Sequence, residues 1–121
     1  MPLVTERLRS KVNRWASSAT MEAQELRTTT EKSGCCLIQN ARDRHRVELQ
    51  GSLRTVTLRP RGGVPALEAE LYDGTGVITV VWLGRRRIAG IEPGRGIEVE
   101  GRIGAHDGVR VLYNPRYQLV P

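Results

Sequence analysis

The stretch Ala66-Leu-Glu-Ala-Glu-Leu-Tyr72, running straight into Asp73-Gly-Thr-Gly76 and then Val77-Ile-Thr-Val-Val-Trp-Leu83, decides the fold. An apolar-alternating run and a β-branched run joined by Asp-Gly are a strong short-range hairpin signal, because glycine accepts the positive φ that a tight turn requires. In the first run Leu67, Ala69 and Leu71 alternate with Glu68, Glu70 and Tyr72, so the apolar set must face a core and the other three must face out. In the second, Ile78, Val80 and Trp82 share one parity, which makes Trp82 a core residue. Asp73 is explained by the turn, where its carboxylate can bond to backbone just ahead of it.

Working outward, Arg46–Arg59 reads as a long strand before the hairpin, and Gly96–Ile103 and Val109–Asn114 read as two strands after it. Val47, Leu49, Gly51 and Leu53 keep one parity while Val56 and Leu58 take the other, so a bulge is expected near Ser52–Thr55. Ile97, Val99, Gly101 and Ile103 point inward on the fourth strand. On the fifth, Val109, Val111 and Tyr113 share a parity that reads as core-facing. Ile88 and Ile91, three apart, fit one turn of helix closing the end of a barrel between the third and fourth strands. Five strands with such an insert describe a mainly β protein, a five-stranded Greek-key OB-fold barrel.

Residues 46–120 resemble the OB-fold of the wedge domain in RecG-type helicases. The motifs that carry the likeness are Asp73-Gly-Thr-Gly76, Pro93-Gly94 and Val99-Glu-Gly-Arg-Ile103. The whole chain is also similar to small stand-alone actinobacterial OB-fold proteins, through its helical start and its Asn114-Pro-Arg-Tyr117 ending. These resemblances imply a nucleic-acid-binding module. The motifs specify a fold more closely than a ligand, because OB barrels also take oligosaccharides and proteins.

Ahead of the barrel, Val4, Leu8, Val12, Trp15, Ala19, Ala23 and Leu26 recur at spacings of three and four, an amphipathic helical stripe. Ser17, Ser18 and Thr20 can cap a second helix within it. The expected organisation is a helical segment at 1–32, a link at 33–45 and the barrel at 46–121. The stripe either packs on the barrel or docks on another chain, with self-association through Leu8, Val12, Trp15 and Leu26 slightly favoured.

Several functions are not expected. At 121 residues there is room for one core. No apolar run reaches membrane-spanning length and the start lacks a signal-peptide core, so a cytoplasmic protein is expected. Cys35 and Cys36 are adjacent, too strained for a mutual disulfide, and with His45 and His106 they match no zinc spacing. Gly62-Gly63 lacks the Lys and helix of a phosphate loop. No metal, no cofactor and no enzymatic activity are expected.

Charge points to a partner. The chain has 19 basic and 13 acidic residues, net +6, and a pI near 10.1, in the range that suggests nucleic acid. All but Lys11 and Lys32 of the basic residues are arginine, which grips phosphate through two bonds and stacks on bases. A GC-rich genome produces the same bias. In OB barrels the ligand lies on the exposed side of the second and third strands, bordered by the loops between strands one and two and strands four and five. The candidate contacts are Arg59 and Arg61 in the first loop, Tyr72 for stacking, Arg85, Arg86 and Arg87 after the third strand, and Arg110 on the fifth. Against this, Glu68 and Glu70 face the same surface and repel phosphate, and exposed rings are few. Two readings stay open. One is a nucleic-acid-binding module of low sequence specificity, favouring single strands, with phosphate contacts from loop arginines and limited stacking. The other is a protein-interaction module docking through barrel or helix.

Overall fold

Apolar residues at every second position give each extended segment one face to bury, and six strands result. They are β1 (Arg46–Leu58), β2 (Ala66–Tyr72), β3 (Val77–Leu83), β4 (Gly96–His106), β5 (Val109–Tyr113) and β6 (Arg116–Leu119). The computed structural model describes residues 19–29 and 34–121; 19–29 form one helix, α1. Leu8, Val12 and Trp15, and the expected helix break near residues 17 and 18, lie outside the described residues.

Strand order is β1-β2-β3-β5-β4-β6, and β1 also pairs with β4, so the first five strands close into a barrel. The β3–β5 pairing is parallel, with Thr79, Val80 and Val81 opposite Val111, Leu112 and Tyr113. Closure depends on β1 serving two neighbours. Its first half, Arg46–Ser52, pairs with β4, and its second half, from Ser52 on, pairs with β2. The register slips by one residue between Leu53 and Val56, which is the expected bulge. A bulge bends a strand and increases its twist, which lets one long strand turn the barrel's corner. This topology is the OB-fold.

The barrel encloses one core. Leu49, Leu53, Leu71, Ile78, Val80, Ile97, Val99, Ile103 and Leu112 are all essentially fully buried, and Trp82 joins them. Each such side chain contributes about 1.5–3 kcal/mol relative to exposure. Trp82 packs edge-on against Tyr117, ring centroids 5.8 Å apart.

The structure departs from expectation in three places. No helix forms between β3 and β4. Ile91 N–H donates to Ile88 C=O at 3.1 Å, but Gly90 between them adopts φ +83°, and a left-handed residue cannot propagate a helix. Ile88 and Ile91 are nonetheless buried in the core. Next, β5 has the opposite facing: Leu112 is the core residue, while Tyr113 and Val109 are exposed. Val111 is buried on the outer side in a separate cluster with Ala66 and Val81. Finally, Asn114, at φ +47°, and Pro115 break the last strand, and Arg116–Leu119 resume pairing with β4 as β6.

The described part, 34–45, of the stretch expected as a link also packs on the barrel. It carries a 3₁₀ turn, Ile38–Asn40, whose Ile38 is completely buried in the core with Ala41 beside it. Ile38 N–H donates to Asp73 Oδ2 at 2.7 Å and Gln39 N–H to Thr75 Oγ1 at 3.2 Å. Asp73 is itself fully buried. Its Oδ1 accepts from Thr75 N–H, Thr75 O–H and Gly76 N–H at 2.9, 2.7 and 3.2 Å. One carboxylate thus ties the β2–β3 turn and fastens the plug at that end of the barrel. Helix α1 rests at the same turn: a Cβ on Gly74 would overlap the carbonyl of Ala23.

Candidate nucleic-acid interface

The outer wall of β2, β3 and β5 is built in rows, because paired residues in adjacent strands point the same way. One row holds Thr57, Glu68, Val81 and Tyr113. The next holds Glu70, Thr79 and Val111, and beyond it lie Tyr72 and Val77. Glu68, Glu70 and Tyr72 face out while Leu67, Ala69 and Leu71 are buried, as the alternation predicts.

Arg61 reaches back over this wall. Its Nη2 donates to Glu68 Oε2 at 3.1 Å and its Nη1 to Tyr113 Oη at 3.1 Å. Glu68 and Tyr113 flank Val81 in one row, so the Arg61 guanidinium straddles Val81 like a strap. The side chain is only 26% exposed. Arg59 stands 3.9 Å from the other Glu68 oxygen and is far more open to solvent. The carboxylate that looked repulsive in sequence is therefore engaged by the two loop arginines. The loop is tightened by reciprocal bonds between Arg61 and Val64, and Gly84 N–H donates to Pro65 C=O at 2.7 Å.

That last bond places Arg85, Arg86 and Arg87, all exposed, at the same end of the barrel as Arg59 and Arg61. Five of the seven candidate residues therefore gather there. Tyr72 sits at the far end of the wall, by the β2–β3 turn. Its ring is not bare: the Arg54 Cζ lies 3.6 Å from the ring centroid. Arg54 falls in the β1 bulge and is exposed. Its position is not evident from sequence, because a bulge residue has no parity.

Arg110 serves another purpose. Its Nη1 donates to the carbonyls of Ile38 and Ala41 at 3.0 and 2.8 Å, satisfying acceptors at the end of the 3₁₀ turn. It holds the plug rather than facing a ligand.

The opposite wall, β1–β4–β6, has a different character. Glu48, Glu100 and Arg116 form one cross-strand row, Gln50, Glu98 and Gln118 the next, and Arg46 pairs with Arg102. Arg46 Nη2 bonds Glu100 at 2.7 Å. Cys35, Glu48 and Glu98 bring one thiol and two carboxylates within 4.8 Å of one another. This mixed set of three lacks the closed four ligands of a structural zinc site. Among the described residues no helix is long and apolar enough to cross a membrane.

Among the solved structures that share the barrel, two are informative. One is a replication protein A heterotrimer bound to single-stranded DNA, with a TM-score of 0.53 and 18% identity over 69% of this chain and 75% of that one. The other is RecG bound to a three-way DNA junction, with a TM-score of 0.51 and 20% identity. That match covers 63% of this chain and 11% of RecG, so it concerns a small part of the helicase. No protein-family model and no curated protein matches the sequence. Likeness at these identities establishes the OB-fold and nothing narrower.

Proposed function

We propose that this chain is an OB-fold module that binds nucleic acid with low sequence specificity, single strands in preference to duplex. The observation that carries the reading is the distribution of charge between the two walls. The β2–β3–β5 wall and its bordering loops present Arg54, Arg59, Arg61, Arg85, Arg86 and Arg87 against Glu68, Glu70 and Asp107. The β1–β4–β6 wall presents Arg46, Arg102 and Arg116 against Glu48, Glu98 and Glu100. The excess of cations therefore lies on the wall that OB-folds use for ligands. Both structural neighbours were solved with DNA, which supports the same assignment. Arginine contacts to phosphate release counterions, so the binding should be steeply salt-dependent.

Titration of the full chain against single- and double-stranded DNA and RNA at two salt concentrations tests the reading. Replacing Arg85, Arg86 and Arg87 together by alanine should weaken binding and reduce the salt slope by up to about three, one per phosphate contact. Being exposed, they should leave the melting temperature unchanged. Absent binding removes nucleic acid as the ligand, and binding indifferent to salt removes the arginine–phosphate contacts.

A second reading, a protein-docking module, rests on apolar exposure at the same end. Leu58, Val64 and Leu83 are 50%, 45% and 40% exposed. A full chain that binds no nucleic acid in the titration leaves this reading standing.

A further inference from the structure

The strap made by Arg61 closes one end of the ligand wall and leaves its other end open. At that end Arg54 lies over Tyr72 with its Cζ 3.6 Å from the ring centroid, the contact distance of two stacked planes. We infer that Arg54 and Tyr72 form one platform on which an unpaired base stacks, with the guanidinium, rather than the tyrosine ring, as the surface that touches it. The inference rests on the nucleic-acid reading and gives it a position.

The geometry favours it in three ways. The β1 register breaks between Leu53 and Val56, and a bulge re-aims side chains that a regular strand would point elsewhere. Here it lays Arg54 across a residue of the neighbouring strand. Tyr72 then backs one face of the guanidinium and fixes its plane, which lowers the ordering cost of binding anything on the other face. Arg54 is exposed, and no hydrogen bond or ion pair to a described residue occupies it, in contrast to Arg61 on Glu68 and Arg46 on Glu100. Its face is available to a base and its edge to a phosphate, the two functions arginine combines on single strands. Val77, paired with Tyr72 and 41% exposed, extends the floor beside it. Glu70 is the acidic side chain nearest in register, since the bulge sets two β1 residues opposite it.

Bases in a duplex offer no free face, so the platform selects unpaired strands. It also predicts a base-dependent part of the affinity, separable from backbone attraction. The experiment compares a labelled oligothymidylate with an abasic strand of equal length by fluorescence anisotropy, using the full chain and its Arg54→Lys, Arg54→Ala and Tyr72→Ala variants. Wild type should bind the thymidylate about tenfold more tightly, the effect of one or two stacked bases. Arg54→Lys should keep the abasic affinity and lose most of that difference, because lysine keeps the charge without the plane. Arg54→Ala should lose the difference and lower the salt slope by about one. Tyr72→Ala should fall between. Arg54 is at the surface, so the melting temperatures of its variants should hold.

Two results would overturn the inference while leaving nucleic-acid binding intact. One is a wild-type chain that binds both strands equally. The other is an Arg54→Lys chain that still prefers the thymidylate by the full factor. A wild-type chain that binds neither strand overturns the inference and the nucleic-acid reading together.

Discussion

At the scale of the residue, arginines of similar appearance in sequence have been given different work. Arg61 is a structural strap, with a largely covered side chain whose guanidinium is shared between Glu68 and Tyr113. Arg59, two residues earlier, makes a long and open contact to the same carboxylate. The two should therefore separate in stability. Arg61→Ala should cost about 1–2 kcal/mol, because it leaves a largely buried carboxylate short of its partner and opens Val81 to water. Arg59→Ala should cost less than about 0.5 kcal/mol. Urea denaturation of the two single variants measures both; equal losses would show that the strap contributes no more than a surface pair. The consequence for binding is direct. A loss of affinity in Arg61→Ala mixes wall rearrangement with charge removal, whereas the same loss in Arg59→Ala reports charge alone.

At the scale of the element, the strands from Arg46 to Ile103 were legible because each has one parity to bury, and that parity is written in alternate residues. Glu68, Glu70 and Tyr72 point outward as their alternation requires, and the bulge in β1 shows as a change of phase. Where two parities are both apolar the rule has no purchase. Val109-Arg-Val-Leu-Tyr113 offers Val109, Val111 and Tyr113 against Arg110 and Leu112, and counting apolar residues chooses the wrong side. The barrel takes Leu112, because Arg110 beside it spends its charge on the carbonyls of the plug. That long-range bond has no trace in local sequence. The same limit hid Arg54, whose value comes from a contact across strands, and the helix expected at Ile88–Ile91, where burial alone suits a turn equally well. Of the candidate contacts, the grouping of Arg59, Arg61 and Arg85–Arg87 could be anticipated from loop order, but not the engagement of Glu68. A glycine supplies the test at this scale. Ser52 pairs with both Gly96 and Tyr72, marking where β1 passes from one neighbour to the other, and Gly51 adjoins it. A Cβ at Gly51 would overlap the carbonyl oxygen of Tyr72, a backbone atom that cannot step aside. Gly51→Ala should cost at least about 2 kcal/mol. Gly104→Ala, whose nearest atom would be 3.7 Å away, is the matched control on β4. Equal stability in the two would remove close packing at the corner as the reason for glycine there.

At the scale of the whole molecule, the barrel does not begin at β1. Ile38 fills its end from the preceding segment, and Asp73, Thr75 and Arg110 each spend a bond holding that segment in place. The helix α1 makes a looser connection, through the approach of Ala23 to Gly74. Shortening the chain should therefore show a step rather than a gradual decline. A chain of residues 34–121 keeps Ile38 and every donor to Asp73, and should lose little stability. A chain of residues 46–121 loses a fully buried isoleucine, which alone costs about 2–5 kcal/mol when its site cannot collapse. It also removes the donor to Asp73 Oδ2 and uncovers the carboxylate that ties the β2–β3 turn. Against a typical domain stability of roughly 5–15 kcal/mol, the shorter chain should be largely unfolded or close to it. Circular dichroism with urea denaturation on both chains measures the step, and Ile38→Ala in the full chain isolates the plug from any effect of length. If 46–121 proves as stable as 34–121, the plug is dispensable and the barrel stands on its five strands alone. If the step appears and Ile38→Ala reproduces most of it, the segment from Gly34 to His45 belongs to the domain. Binding measurements on an isolated β1–β6 fragment would then report on a damaged barrel.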